Sequence, residues 1–398
     1  MKIDVFSKKV KSDDKYDISF LNEEVAKDVF DYHKSFPMYK RTPLVDLNNL
    51  SRELGVKKIL IKDESYRFGL NAFKVLGGSY AVGKVVADKL GMNLKDLPYE
   101  KLISKEVKEK LGDITFITAT DGNHGRGVAW AANQLQQKSI VFMPHGAAIE
   151  RVKNIEKEGA KVTVLDGNYD EAVRYANKLA EEKGYIMVQD TAWEGYEDIP
   201  RWIMQGYMTL AWEMFTELEE KEIKPTHVFL QAGVGSFAAA ATGFLSNVYK
   251  NEKPTITIVE PSTVACIYES AKANKRVLVG GNHDTIMAGL ACGEPNTFGL
   301  KVLLDYADNF ISCTDEFAAH GMRLLANPLL DDEKVISGES GAASIGVISK
   351  ILSKDEYKDM KNILNIKNNS VLLFVSTEGD TDKKNYKDVV WDGKYPSI

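Results

Sequence analysis

The chain has 398 residues, 44% hydrophobic and 27% charged, an ordinary globular composition that, at roughly 100–200 residues per domain, suits two domains with a sizeable core and no staples. Fifty-one basic residues against 57 acidic ones give a net charge of -6, and the absence of a long basic block excludes nucleic acid as a partner. Three cysteines, Cys266, Cys292 and Cys313, are too few for a secreted framework and lack zinc spacing, and no apolar run suits an export signal or a membrane span, so the expectation is a cytoplasmic protein without a metal.

From Lys57 onward short β-branched runs alternate with longer segments of helical period, the pattern of a parallel sheet with crossover helices. In chain order the residues predict a strand at 58–62, a helix at 71–89, a strand at 115–119, a helix at 125–135 and a strand at 139–143. A helix follows at 149–158, then a strand at 161–165, a helix at 171–183, a strand at 186–189 and a helix at 199–218. The last of the series are strands at 227–231, 255–259 and 371–375, with a helix at 236–247. Two stretches break the spacing: a charged insertion at 91–112 and a Gly- and Asn-rich segment at 271–300. Long irregular segments inside compact domains are often functional. Open parallel sheets bind ligands at the carboxyl ends of their strands, so the loops leaving those strands carry the search for chemistry.

Four such loops stand out. Lys74 ends Phe68-Gly69-Leu70-Asn71-Ala72-Phe73-Lys74; among apolar neighbours its amine is expected to have a lowered pKa and to act as a Schiff-base nucleophile, although taken alone it reads more readily as a solvated surface lysine. Thr120-Asp121-Gly122-Asn123-His124-Gly125-Arg126-Gly127 is a strand-to-helix turn that brings backbone and short polar groups close to a ligand, or is only a tight connection. Gln231-Ala232-Gly233-Val234-Gly235-Ser236 opens a small-residue helix, a sensible anion site that matches neither the Walker pattern nor the dinucleotide fingerprint. Ser376-Thr377-Glu378-Gly379-Asp380 follows an apolar strand, and its hydroxyls serve either a ligand or a helix cap.

Together, in this chain order, the loops resemble the fold type II enzymes that use pyridoxal 5′-phosphate, the tryptophan synthase β-subunit group. That resemblance implies an α/β chain of two open, twisted, mostly parallel sheets flanked by helices, with the cofactor in the cleft between domains. It implies that Lys74 carries the cofactor, Asn123 contacts its ring, Gly233, Val234, Gly235 and Ser236 hold its phosphate, and Ser376, with Thr377 as second choice, faces the pyridine nitrogen. It also implies a discontinuous large domain of residues 1–89 and 196–398, a small domain of residues 90–195, and a homodimer. Gln189-Asp190-Thr191-Ala192-Trp193-Glu194-Gly195-Tyr196 and Gly289-Leu290-Ala291-Cys292-Gly293-Glu294-Pro295 narrow the similarity to the ammonia-lyases of this fold that act on diaminopropionate. One departure is Ser236-Phe237-Ala238-Ala239-Ala240, richer in alanine than the family pattern.

The implied reaction is an α,β-elimination of a small diamino acid to pyruvate and ammonia. Related dehydratases carry Ser or Thr at the position of Asp121, and a carboxylate there suits a base on the face opposite Lys74, opening both D and L substrates to the enzyme. Asp190 is expected to pair with the substrate's β-ammonium, or else to cap the helix near Ile199. His124 shapes its loop, Glu339 is a candidate neighbour of the ring, and the remaining histidines show no metal spacing. Cys266 and Cys292 approach the same rim, with reduced thiols favoured over a bridge. The alternatives are a threonine or serine dehydratase, a β-replacement synthase of the same fold, or a non-catalytic binding protein that kept it.

Overall fold

The computed structural model describes residues 1–8, 14–281 and 283–396, so Lys9 and Asn282, which fall in stretches considered above, lie outside the described residues. The first elements are β1 (Ile3–Ser7), α1 (Glu23–Lys34), β2 (Leu44–Asp46), β3 (Lys58–Asp63) and α2 (Val75–Leu90). Next come β4 (Thr115–Ala119), α3 (Asn123–Gln134), β5 (Lys138–Met143), α4 (Ile149–Lys157), β6 (Lys161–Val164), α5 (Tyr169–Lys183) and β7 (Ile186–Met187). The chain continues through α6 (Asp198–Glu220), β8 (His227–Gln231), α7 (Ser236–Tyr249), β9 (Thr255–Pro261) and β10 (Asn309–Cys313). Then come α8 (Asp315–Ala326), α9 (Glu339–Ser353) and β11 (Val371–Ser376), and a helix at Lys383–Val390 follows.

The strands form a seven-stranded sheet of order β1-β10-β9-β8-β11-β3-β2 and a four-stranded sheet of order β6-β5-β4-β7. The edge pairs β1–β10 and β2–β3 are antiparallel; the other pairs are parallel. Strands β8 and β11 are buried along their whole length, which is why the sequence shows continuous apolar runs there instead of alternation. Strand β6, at an edge of the smaller sheet, is mostly exposed.

The elements differ from expectation where the backbone leaves the regular periods. The helix predicted from residue 71 starts at Val75, because Phe68 and Asn71 take left-handed φ values of 49° and 60° and fold the preceding residues into a kinked turn. The charged insertion at 91–112 is not structureless: it holds the short helices Tyr99–Leu102 and Lys105–Leu111. Strands β1, β2 and β10 lie outside the predicted set.

Two packing features set the position of Lys74, the residue just before α2. Helices α2 and α3 cross closely: a Cβ on Gly127 would lie 2.8 Å from the Val75 Cα, and one on Gly78 would lie 3.0 Å from the Gly127 carbonyl carbon. That approach brings the start of α3, with Asn123, against the start of α2, with Lys74. Behind the kinked turn sits a fully buried ion cluster. Lys62 Nζ lies 2.7 Å from Glu213 Oε2, Arg67 Nε 2.8 Å from Glu64 Oε2 and Arg67 Nη1 2.8 Å from Glu213 Oε1. Two cations face two anions, so no net charge is left in the interior, and the cluster ties the turn to α6.

Candidate active site

Adjacent carboxyl ends build the floor of the site. Ser376 at the end of β11 pairs in register with Asp63 at the end of β3, and β11 also pairs with β8. The loops leaving these three strands therefore emerge side by side and carry Lys74, Thr377 and the Gly233–Ser236 turn. From the smaller sheet, the paired strands β4 and β7 end just before Asp121 and Asp190. These loops enclose a cavity of about 500 Å³, open mouth included, whose walls include Lys74, Asn123, Asp190, Gly233, Val234, Gly235, Ser236 and Thr377. Asp121 lines the adjoining cleft with Arg151, Tyr169 and Glu339.

Charge dominates at Lys74. Its Nζ lies 3.0 Å from Asp190 Oδ2. Burial pushes the amine's pKa down, but the Asp190 and Asp121 carboxylates outweigh it and hold the pKa well above the usual lysine value. The lowered pKa expected from apolar surroundings is thus corrected: Phe73 and Leu70 are neighbours in sequence, but two carboxylates brought by the other sheet decide the balance. At Asp190 burial pushes the carboxyl up and the Lys74 ammonium pulls harder the other way, leaving it at about 2. Its Oδ1 accepts from Tyr169 Oη at 3.2 Å and Gln189 Nε2 at 3.3 Å. The alternative role of capping the next helix is not what Asp190 does, since α6 begins at Asp198 with Glu197 before it. Asp121 Oδ2 is buried without a hydrogen-bond partner; burial raises its pKa against the pull of Lys74 and Arg151.

The residues present fit pyridoxal 5′-phosphate. The first-turn N–H groups of α7 have no intrahelical acceptor and open on the cavity wall formed by Ser236, Phe237 and Ala238. Gly235 before them has φ of 93°, and a Cβ there would also meet Ile267 Cδ1 at 3.1 Å, so the turn needs glycine. The Ser236 hydroxyl is turned to the chain itself, donating to the Asp190 carbonyl at 2.6 Å. It fixes the loop that carries Asp190, and the cradle's donors are backbone groups.

Ser376, the first choice to face the ring nitrogen, is not on the wall of this cavity. Its hydroxyl is engaged by the chain itself, donating to Ser337 Oγ at 2.9 Å and the Glu378 carbonyl at 3.4 Å. Successive strand residues face opposite sides, so Thr377 takes the cavity wall, where its Oγ1 accepts from Gln231 Nε2 at 2.9 Å. Asn123 lines the same wall and donates to Glu378 Oε2 at 2.5 Å.

Several neighbours escaped the sequence reading. Glu378 follows Thr377 in the quoted loop without a role assigned to it, and Tyr207 and Arg151 lie in helices with no local signal. Glu339 is not on the wall of the cavity; its Oε1 pairs with Arg151 Nη2 at 2.5 Å, joining α9 to α4. His124 Nε2 bonds to the Val188 carbonyl oxygen at 2.8 Å and so shapes the loop before Asp190. Cys266 and Cys292 do meet, with Cys266 Sγ 3.3 Å from the Cys292 carbonyl oxygen, and both are free thiols.

Comparison with known proteins agrees with this geometry. Residues 36–366 match the family of pyridoxal-phosphate dependent enzymes. A diaminopropionate ammonia-lyase of Salmonella typhimurium is 49% identical over 381 residues, 95% of this chain and 94% of that one. A crystal structure of the Escherichia coli diaminopropionate ammonia-lyase in complex with an aminoacrylate-PLP azomethine reaction intermediate superposes with a TM-score of 0.91 at 45% identity, covering 99% of this chain and 98% of that one. An L-threonine dehydratase of Staphylococcus aureus is more distant, 25% identical over 82% of this chain and 83% of its own length. With Lys74 and two carboxylates converging on a cradle that suits pyridoxal phosphate, the chain belongs to the diaminopropionate ammonia-lyase family of fold type II pyridoxal-phosphate dependent enzymes.

Proposed function

We propose that this chain eliminates ammonia from 2,3-diaminopropionate, consuming one water and yielding pyruvate and two ammonia, and that it accepts both the D and the L enantiomer. The observation that carries the reading is the flanking of Lys74 by two carboxylates, Asp190 at 3.0 Å and Asp121 in the adjoining cleft, which suits a substrate with a second ammonium and not a hydroxy amino acid. When bound, pyridoxal 5′-phosphate supplies the electron sink that makes the Cα proton acidic.

The chain's own groups do the rest. Lys74 Nζ anchors the cofactor and, when free of it, takes the α-proton on one face and returns a proton to the departing β-amine. Asp121 Oδ2, buried and without a protein partner, is the acceptor on the opposite face. Asp190 holds the β-ammonium through the oxygen that meets Lys74, a charge-assisted pairing roughly twice as strong as a neutral one. Asn123 and Thr377 position the ring, and Gly233, Val234, Gly235 and Ser236 hold the phosphate.

The division into residues 1–89 with 196–398 and residues 90–195 is supported by sheet membership, since β4 to β7 alone form the smaller sheet. A cytoplasmic setting is supported by three buried free cysteines, and a homodimer by the family resemblance. No described helix is long and apolar enough to cross a membrane.

The test is pyruvate release from each enantiomer of diaminopropionate, run beside L-serine and L-threonine. Both diaminopropionates should be turned over well ahead of the hydroxy amino acids. Comparable turnover of serine would remove the role given to Asp190.

A further inference from the structure

Tyr207 stands on α6, 2% exposed, on the wall of the same cavity as Lys74 and the α7 N-terminus. Its ring centroid lies 4.8 Å from that of Phe73 and 6.4 Å from that of Phe237. A Cβ on Gly77 would lie 2.6 Å from its Cε1 and 2.8 Å from its Cζ, so the tip of the ring rests over the turn of α2 that follows Lys74. Gly77 leaves the room for it.

The hydroxyl at that tip is buried and has no hydrogen-bond partner. An unpaired buried hydroxyl is unfavourable unless a ligand completes it. The other hydroxyls on the cavity wall each have a partner in the protein. Ser236 Oγ donates to the Asp190 carbonyl, Ser340 Oγ accepts from the Gly289 N–H and Thr377 Oγ1 accepts from Gln231. Lys74 is the single Lys or Arg side chain on that wall, and its amine is committed to the cofactor's aldehyde carbon. A phosphate at the α7 N-terminus therefore has backbone N–H groups but no side-chain donor from its own loop.

We infer that Tyr207 is a further cofactor ligand, its phenolic hydroxyl donating a hydrogen bond to the phosphate of pyridoxal 5′-phosphate from the side opposite the glycine turn. This rests on the reading that the phosphate sits at Gly233–Ser236. Tyr207 thereby couples cofactor occupancy to α6, the helix that also carries Glu213.

The experiment compares pyridoxal 5′-phosphate with pyridoxal, which lacks the phosphate, as ligands of the resolved full-length apo-protein, by absorbance titration and thermal melting. Tyr207→Phe should weaken pyridoxal 5′-phosphate about 10- to 100-fold, the range for a hydrogen bond to a charged group. It should bind pyridoxal as wild type does, and its apo-protein should melt no lower than wild type, because the missing oxygen bonds to nothing in the protein. An equal loss for both ligands, no loss for either, or a lower-melting apo-protein would overturn the inference. Gly235→Ala separates it from the reading beneath it. A phosphate-selective loss in Gly235→Ala without one in Tyr207→Phe removes Tyr207 alone, and no selective loss in either removes the phosphate site itself.

Discussion

At the scale of single residues, electrostatics decides which protonation state each group brings to the reaction. The Asp190 and Asp121 carboxylates hold Lys74 as an ammonium, yet only a neutral amine adds to an aldehyde. Asp190→Asn takes away the nearer anion and lets the Lys74 pKa fall. The pH dependence of pyridoxal phosphate uptake by the apo-protein, followed by absorbance, should therefore move to lower pH; a move to higher pH would contradict the pairing. The neighbouring hydroxyls give a second contrast. Thr377→Val removes a group on the cavity wall and should cost turnover about 2- to 10-fold, the worth of one neutral hydrogen bond, whereas Ser376→Ala acts through the contacts to Ser337 Oγ and the Glu378 carbonyl and should cost turnover less. Asn123 was legible because it sits beside glycine in a strand-to-helix turn, Asp190 because it follows a strand end, and Lys74 because its loop is the first in the chain order of motifs. The choice between Ser376 and Thr377 was not, because it depends on one step of strand alternation at the very end of β11. Arg151 and Tyr207 left no mark at all, since each occupies an ordinary helix position, Arg151 with a partner, Glu339, from a distant part of the chain and Tyr207 with a hydroxyl that meets no protein group.

Among elements, the kinked turn at 63–74 depends on the buried ion cluster behind it. Removing one partner of a buried pair leaves an uncompensated charge and typically costs about 3–5 kcal/mol, so Glu213→Gln should destabilise by that order in urea unfolding at neutral pH. Burial pushes the Glu213 carboxyl up, but Arg67 and Lys62 hold it below the ordinary carboxylate value. A group depressed in the folded state stabilises above its unfolded pKa and loses that contribution as the pH falls through the folded one. The gap between wild type and Glu213→Gln should therefore be widest above about pH 5 and narrow on acidification; a gap that stayed constant would contradict the assignment. The long parallel strands and crossover helices were readable from period alone, because strands buried on both faces must be apolar throughout. Strand β2 has three residues, too short a pattern to separate from a loop, whereas β1 and β10, five residues each, pair antiparallel at the sheet edge, outside the alternation of parallel strands and crossover helices. The start of α2 was misread for a different reason: helical spacing in the sequence runs through residues 71–74, while Asn71 at φ 60° breaks the helix there.

Over the whole molecule, the two sheets point their carboxyl ends at each other, and beside the packing of α3 on α2 the joints at the cleft are polar: Lys74 with Asp190, Asn123 with Glu378 and Arg151 with Glu339. Each joint places one group from residues 90–195 against one from the rest of the chain, so the reacting groups are assembled by the meeting of the sheets and by neither alone. The alternation of strands and helices made the α/β class legible. The partition into two sheets was legible only through the order of the loop motifs, since nothing in local period says that β4 leaves one sheet and starts another. The central claim is that proton acceptors come from both sides of the cleft, Lys74 from one and Asp121 from the other. It is tested most directly by the Asp121→Asn enzyme, assayed for pyruvate release from D- and from L-diaminopropionate at equal cofactor occupancy. The account predicts that turnover of one enantiomer falls by about 100-fold or more, the usual worth of a general base, while the other is largely kept; an equal loss for both enantiomers in a folded, loaded enzyme would contradict it.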